Sequence, residues 1–175
     1  MSWYCDYIIS LPEGEKKQLH KNYHDNHYGF PLHDDNELFG RLILEINQAG
    51  LSWETMLKKE QNFRKAYDNF DVAKIAEYGE EDRHRLLSDS GIIRNARKID
   101  AAIYNAKITM QLGGFNNWIE KHRGLSKDEW VKLFKEHFHF VGGEIVGEFL
   151  MSIGVLDGAH SEACPIYKKI KELTK

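Results

Sequence analysis

The sequence predicts an all-α fold, and three observations carry that reading. Apolar residues recur at three- and four-residue intervals, capping residues stand ahead of those stretches, and nowhere does a strand-like alternation run into a hairpin turn. The 175 residues suffice for one domain, since a chain of this length buries about two thirds of its unfolded surface on folding. With 42% apolar residues, only three prolines and no internal repeat, residues 1–175 read as a single compact helical domain.

The first clear helix starts near Asp35 or Asn36, either of which would cap it, and carries Leu38, Phe39, Leu42, Ile43 and Ile46 on one face. Gln48-Ala49-Gly50 ends it. Ser52 then offers an acceptor to the free amides of a second helix through Trp53, Met56 and Leu57, so Glu45 falls in the last turn of one helix and Trp53 in the first turn of the next. Asp71 caps a short helix over 72–78, and 80–87 forms another before the turn Asp89-Ser90-Gly91. Ile99, Ala102, Ile103 and Ala106 mark a longer helix. Ser126 with Glu129 forms a capping box ahead of Trp130, Leu133, Phe134 and His137. The pattern breaks at Phe140-Val141-Gly142-Gly143 and resumes through Ile145, Phe149 and Ile153 to Gly154.

The net charge of −3 excludes a protein that coats nucleic acid by bulk electrostatics. Two basic clusters remain, Lys58, Lys59, Arg64 and Lys65, then Arg94, Arg97 and Lys98, either solvated helix faces or local contacts for an anion. Between Met1 and Gly14 the apolar run is only Tyr7-Ile8-Ile9 without a basic flank. No signal peptide or membrane span is expected, so the two cysteines are expected to stay reduced and the location to be cytoplasmic.

Three constellations bear chemistry. His160 and Cys164 stand four residues apart, on one face if that segment is helical, a spacing that suits two zinc ligands but also arises by chance. The run from Phe140 to Gly154 has the form helix, glycine turn, helix. Such a turn lets a backbone approach a phosphate with the next helix's first amides pointing at it, or is an ordinary tight turn. Glu45 adjoins a flexible corner and an aromatic ring, the two kinds of group that read and stack a flipped base. Alternatively Glu45 is a solvated helix residue and Trp53 a core anchor.

Taken together the segments resemble the DNA-3-methyladenine glycosylase I family over nearly the whole chain. Tyr23-His24-Asp25-Asn26-His27-Tyr28-Gly29 is similar to the family's Tyr-His-Asp-x-x-Trp-Gly, with Tyr28 where tryptophan is usual. Glu45 to Trp53 resembles Glu-x-x-Gln-Ala-Gly-Leu-Ser-Trp. Asp89 to Arg94 with Lys98-Ile99 matches a third block, and Phe140-Val141-Gly142 precedes the His-x-x-x-Cys tail. His20 stands where another pocket aromatic is usual, and the spacer from Cys5 to His24 is longer than the family's.

The resemblance implies a helix-hairpin-helix fold, with the hairpin around 130–154. It also implies one structural Zn2+ on Cys5, His24, His160 and Cys164, joining segments 1–29 and 156–168. Glu45 would recognise the base as the catalytic residue, with Tyr23, Tyr28 and Trp53 walling the pocket. Gly50 and Leu51 would approach the gap in the duplex, and Val141, Gly142 and Gly143 would hold the backbone. The implied activity is monofunctional excision of 3-methyladenine from alkylated double-stranded DNA, in base excision repair. Related enzymes carry a catalytic aspartate near the place of Asp157, which here aids the chemistry or only orients the tail. Bifunctional relatives carry a lysine nucleophile after the hairpin, and residues 145–154 contain none, so no strand cleavage is expected. A monomer without protein partner is expected. The competing expectation is a catalytically silent, zinc-stabilised helix-hairpin-helix DNA-binding protein.

Overall fold

The computed structural model describes residues 3–175. Its described residues are helical and carry no strand. In chain order the helices are α1 (Trp3–Ser10), α2 (Glu15–Asn26), α3 (Asp35–Gln48), α4 (Trp53–Ala66), α5 (Val72–Ala76), α6 (Glu80–Ser88), α7 (Ala96–Gln111), α8 (Phe115–Lys121), α9 (Lys127–His137), α10 (Gly143–Ser152) and α11 (Pro165–Leu173). No helix among the described residues is long and apolar enough to cross a membrane.

The chain divides into two compact units. One is built from the segments up to Leu32 and from Gly147 onward, the other from His33–Val146 between them. In the second unit the apolar stripes predict much of the core, although Trp53 and Leu57 of α4 and Ile103 of α7 are only half-buried and Phe63 joins the core unpredicted. Leu38, Phe39, Leu42, Ile43 and Ile46 of α3 are buried, as are Met56 and Phe63 of α4 and Ile99, Ala102 and Ala106 of α7. Helix α3 packs on α4, α7 and α8, and α5 lies along α7.

The caps follow the sequence with one correction. Ser52 accepts from the Thr55 amide at 3.2 Å, Asp71 from Lys74 at 3.1 Å, and Ser126 with Glu129 forms the capping box. Helix α3, however, is capped by Asp34, whose Oδ1 accepts from the Glu37 amide at 2.9 Å. Asp35 and Asn36 are spent elsewhere: Asp35 accepts from the Asn116 amide at 2.7 Å and Asn36 from the Val72 amide at 3.0 Å. All three residues have capping chemistry, and tertiary partners assign their roles.

The core of the first unit sets a cluster of aromatic rings beside the aliphatic Ile8, Leu150 and Ile153. The Tyr4 ring meets His20, Tyr23, His24 and Tyr28 edge-on, with centroids 5.2–6.2 Å apart. Its hydroxyl lies 2.9 Å from His20 Nδ1, so a polar ring serves as core filler with its polar atom satisfied. Gly154, at φ 75°, lets the end of α10 come against the chain at Gly29, where a Cβ would stand 2.9 Å from the Gly29 carbonyl.

Candidate functional site

The first unit brings together four residues from opposite ends of the chain. Cys5 lies on α1, His24 near the end of α2, and His160 and Cys164 in the segment between α10 and α11. That segment is a turn and not a helix: the Cys164 amide donates to Ser161 O at 2.9 Å, and Cys164 caps α11 with Pro165 in its first turn. The four donor atoms all fall within 4.8 Å of one another.

The separations have the dimensions of a metal shell. His24 Nε2 and His160 Nδ1 are 3.1 Å apart, and the sulfur–nitrogen distances run from 3.3 to 3.8 Å. A tetrahedral zinc with ordinary bond lengths separates its ligands by about 3.3 Å between nitrogens and about 3.6 Å between nitrogen and sulfur. The other ring nitrogens fix the tautomers. His24 Nδ1 faces Asp25 Oδ1 at 2.7 Å, and His160 Nε2 faces the Tyr28 carbonyl at 2.6 Å. Both oxygens are acceptors only, so those nitrogens carry hydrogens and the two inner nitrogens are the ones placed to act as ligand atoms. Burial favours neutral His160 by moving its pKa below the ordinary histidine value. Two imidazole nitrogens and two sulfurs converging within 4.8 Å of one another make a donor set that suits a cation. The cluster can hold a metal ion, and four protein donors close its shell.

Glu45 and Trp53 belong to the second unit. Glu45, in the last turn of α3, is only 4% exposed, although a carboxylate is among the side chains most costly to bury. The corner that follows is shaped by Gly50 at φ 83°, by the Leu51 amide donating to Gln48 O at 2.7 Å, and by Gln48 Nε2 donating to Leu51 O at 3.1 Å. Nothing stands within 4 Å of where a Gly50 Cβ would be, and the Leu51 side chain is exposed beside it. Trp53 opens α4, half-buried.

Between α9 and α10 the left-handed residue is Phe140, at φ 60°, and not a glycine. Val141 is buried, Gly142 faces open space, and Gly142 O receives the Val146 amide at 3.0 Å as α10 begins. The amides of Gly143, Glu144 and Ile145 therefore head the helix without an acceptor inside it.

Tyr23 and Tyr28 lie in the first unit, both buried, with ring centroids 5.7 Å apart. Tyr28 donates its hydroxyl to Glu148 Oε2 at 3.3 Å, while its carbonyl orients His160. The Asp157 side chain is 97% exposed and pairs with Lys171 at 3.5 Å, a solvent-facing loop carboxylate. Of the basic clusters, Lys58 pairs with Glu54, and Arg64 holds Glu37 through both nitrogens while also reaching Glu60. Lys98 is buried, donating to two backbone carbonyls. Three contributors were not singled out in the sequence. Asp25, next to His24, entered the sequence reading only within the Tyr23–Gly29 block, Lys98 only within a basic cluster and beside Ile99 in the third block, and Asn105, inside an apolar stripe, gave no signal.

A model of the methyladenine glycosylase family matches residues 14–132. The chain belongs to that family. It is 48% identical over 94 residues to DNA-3-methyladenine glycosylase 1 of Escherichia coli K12, a match spanning 54% of this chain and half the length of that relative. It is 33% identical to DNA-3-methyladenine glycosylase of Haemophilus influenzae, covering 86% of this chain and 93% of the relative. Among solved structures, 3-methyladenine DNA glycosylase I from Staphylococcus aureus, studied for its recognition of 3-methyladenine, superposes with a TM-score of 0.77 at 31% identity over 87% of this chain and 93% of that one. A crystal structure of another 3-methyladenine DNA glycosylase I gives 0.74 at 35% identity, over 84% and 93%. Membership of this family makes the chain a glycosylase enzyme.

Proposed function

We propose that this methyladenine glycosylase family member excises 3-methyladenine from alkylated duplex DNA by hydrolysing the N-glycosidic bond, leaving an abasic site and the free base. The observation that carries the proposal is the buried Glu45 carboxylate at the end of α3, one corner ahead of Trp53. A carboxylate in that setting accepts hydrogen bonds from the edge of an extruded purine, and an indole face attracts a cationic base. Tyr23 and Tyr28 are proposed as further aromatic residues for base recognition.

The chemistry asks little of a general acid. Methylation at N3 makes the adenine cationic, so the C1′–N9 bond breaks with its electron pair leaving on a neutral base, and water adds at C1′. The protein's work is to extrude the nucleotide, at a few kcal/mol of unstacking, and to bind the oxocarbenium-like transition state better than the ground state. Gly50 and Leu51 are proposed to enter the gap left in the duplex. Val141, Gly142 and Gly143 are proposed to hold a phosphate as the turn of a helix-hairpin-helix, a role supported by the open space at Gly142 and the free amides heading α10. Strand cleavage is not part of the proposed reaction.

Zinc is the metal proposed for Cys5, His24, His160 and Cys164, because mixed thiolate and imidazole ligands in a closed shell of four suit it. Bound there, it supplies a cross-link between sequence-distant segments, and no reaction step passes through it. An intracellular DNA substrate accords with reduced cysteines, and a monomer without protein partner remains the proposed state.

Incubating the protein with methylated duplex DNA and separating released bases by chromatography tests the activity. Release of 3-methyladenine by the native chain, reduced about 10- to 100-fold in Glu45→Gln by loss of a charged hydrogen bond, is the expected result. Binding of duplex DNA with no base release across neutral pH would replace it with the silent DNA-binding reading.

A further inference from the structure

Lys98 is 5% exposed, a rare state for a lysine, and its surroundings explain why the charge is tolerated. Its Nζ donates to the carbonyls of Asn47 and Ala49, each at 2.9 Å, and stands 5.8 Å from the centre of the Phe140 ring. Both carbonyls belong to the C-terminal end of α3, where the helix leaves acceptors unused and its dipole favours a cation. They immediately precede Gly50 and Leu51. Phe140, in turn, is the left-handed residue of the turn leading into α10. One ammonium thus bonds just ahead of the Gly50–Leu51 corner and faces the residue that precedes Val141–Gly143.

The backbone that carries Lys98 is itself fixed. Asn95, the cap of α7, accepts from the Lys98 amide at 3.2 Å. Two turns further along the same helix, the fully buried Asn105 donates to His139 O at 3.0 Å and accepts from His139 N at 2.8 Å, spending both ends of its amide on the residue before Phe140. The exposed Tyr104 ring adds a parallel stack on His139 at 3.6 Å. Helix α7 therefore grips the turn at residues 139 and 140 and the corner at residues 47 and 49.

We propose that Lys98 is a positioning residue for base excision, holding the Gly50–Leu51 corner and the turn before α10 at the spacing that an extruded nucleotide and its neighbouring phosphate require. The inference rests on the glycosylase reading above. Lys98 reaches both segments from one atom. Misplacement by about 1 Å between reacting parts can cost on the order of 100-fold in rate without abolishing binding, so the signature lies in the catalytic step.

The test is single-turnover release of 3-methyladenine from methylated duplex at saturating protein, beside binding of the undamaged duplex, for the native chain, Lys98→Met and Phe140→Leu. Circular dichroism identifies the temperature at which each variant is folded. Lys98→Met is expected to lower the saturated excision rate 10- to 100-fold while changing duplex affinity less than about 3-fold. Phe140→Leu, which keeps both carbonyl bonds and loses only the ring face, is expected to lower the rate a few-fold, and it decides the matter if Lys98→Met does not fold. A folded Lys98→Met excising at the native rate, or a loss wholly accounted for by weaker DNA binding, overturns the assignment. An unchanged rate in Phe140→Leu does the same. Failure of the native chain to release any base overturns the glycosylase reading first, and this inference with it.

Discussion

Gly29 touches the His160 ring: a Cβ at Gly29 would stand 3.1 Å from His160 Cδ2 and 2.7 Å from the Ala159 side chain. The residue is also at φ 81°, where an L side chain is strained. Gly29→Ala is therefore expected to push His160 out of the cluster. Zinc affinity, measured by competition with a chromophoric chelator, should fall at least about 10-fold, the scale on which disturbed metal ligands lose affinity. Native affinity in this variant would mean that the 159–160 segment yields freely.

Asp25 orients the other imidazole through His24 Nδ1. Removing that acceptor leaves the ligand set complete but its tautomer undetermined. Asp25→Ala should weaken zinc binding about 10- to 100-fold while the protein, loaded at excess zinc, keeps its native circular dichroism spectrum. Equal affinity in the two proteins would reduce Asp25 to a surface carboxylate.

Gly40 sits in the middle of α3, where alanine would ordinarily be the better helix former by about 1 kcal/mol. Here a Cβ would lie 2.6 Å from Phe70 Cγ, and the Arg64 guanidinium also lies over that ring at 4.9 Å. Phe70 also closes a left-handed run, Asp68-Asn69-Phe70, which leaves its backbone little room to retreat. Gly40→Ala should destabilise by about 1–3 kcal/mol in urea unfolding, the usual cost of overpacking. A gain in stability would show that the ring relocates.

Asp68 accepts from Lys74 Nζ at 2.7 Å and from the Tyr78 hydroxyl, and these bonds, Lys74's first, lower its pKa. A carboxyl whose folded pKa is depressed adds stability above its unfolded value of about 3.9, and that stability is lost as the pH falls through the lower folded value. Asp68→Asn, chosen because asparagine also tolerates the left-handed conformation, should cost about 1 kcal/mol at pH 7. The difference from the native chain should close at the acid end of a stability–pH series. A gap that persists there would assign the loss to packing.

The helices that frame Glu45 and Trp53 were legible because α3 and α4 bury aliphatic side chains at helical spacing and carry ordinary caps. Helix α2 was not. It buries His20, Tyr23 and His24, polar rings that period-based reading counts as surface. Helix α11 buries nothing fully, so its amphipathic pattern had no core to point at. His160 and Cys164 could be paired from spacing alone, although the helix that spacing suggested is a turn. Joining them to Cys5 and His24 took the resemblance, because local pattern carries no information across so many residues. Lys98 and Asn105 escaped for a different reason: both act on backbone atoms, which no side-chain motif encodes.

His24 and Cys164 are separated by 140 positions. At a synthesis rate of about 5–20 residues per second, the tail half of the cluster leaves the ribosome roughly 7–30 s after the head half. Throughout that interval Cys5 and His24 are without their two later partners, while His33–Val146 is being made. A metal held as proposed can bridge the two segments only after the intervening unit has been made, which ties its binding to the last step of maturation and not to the first.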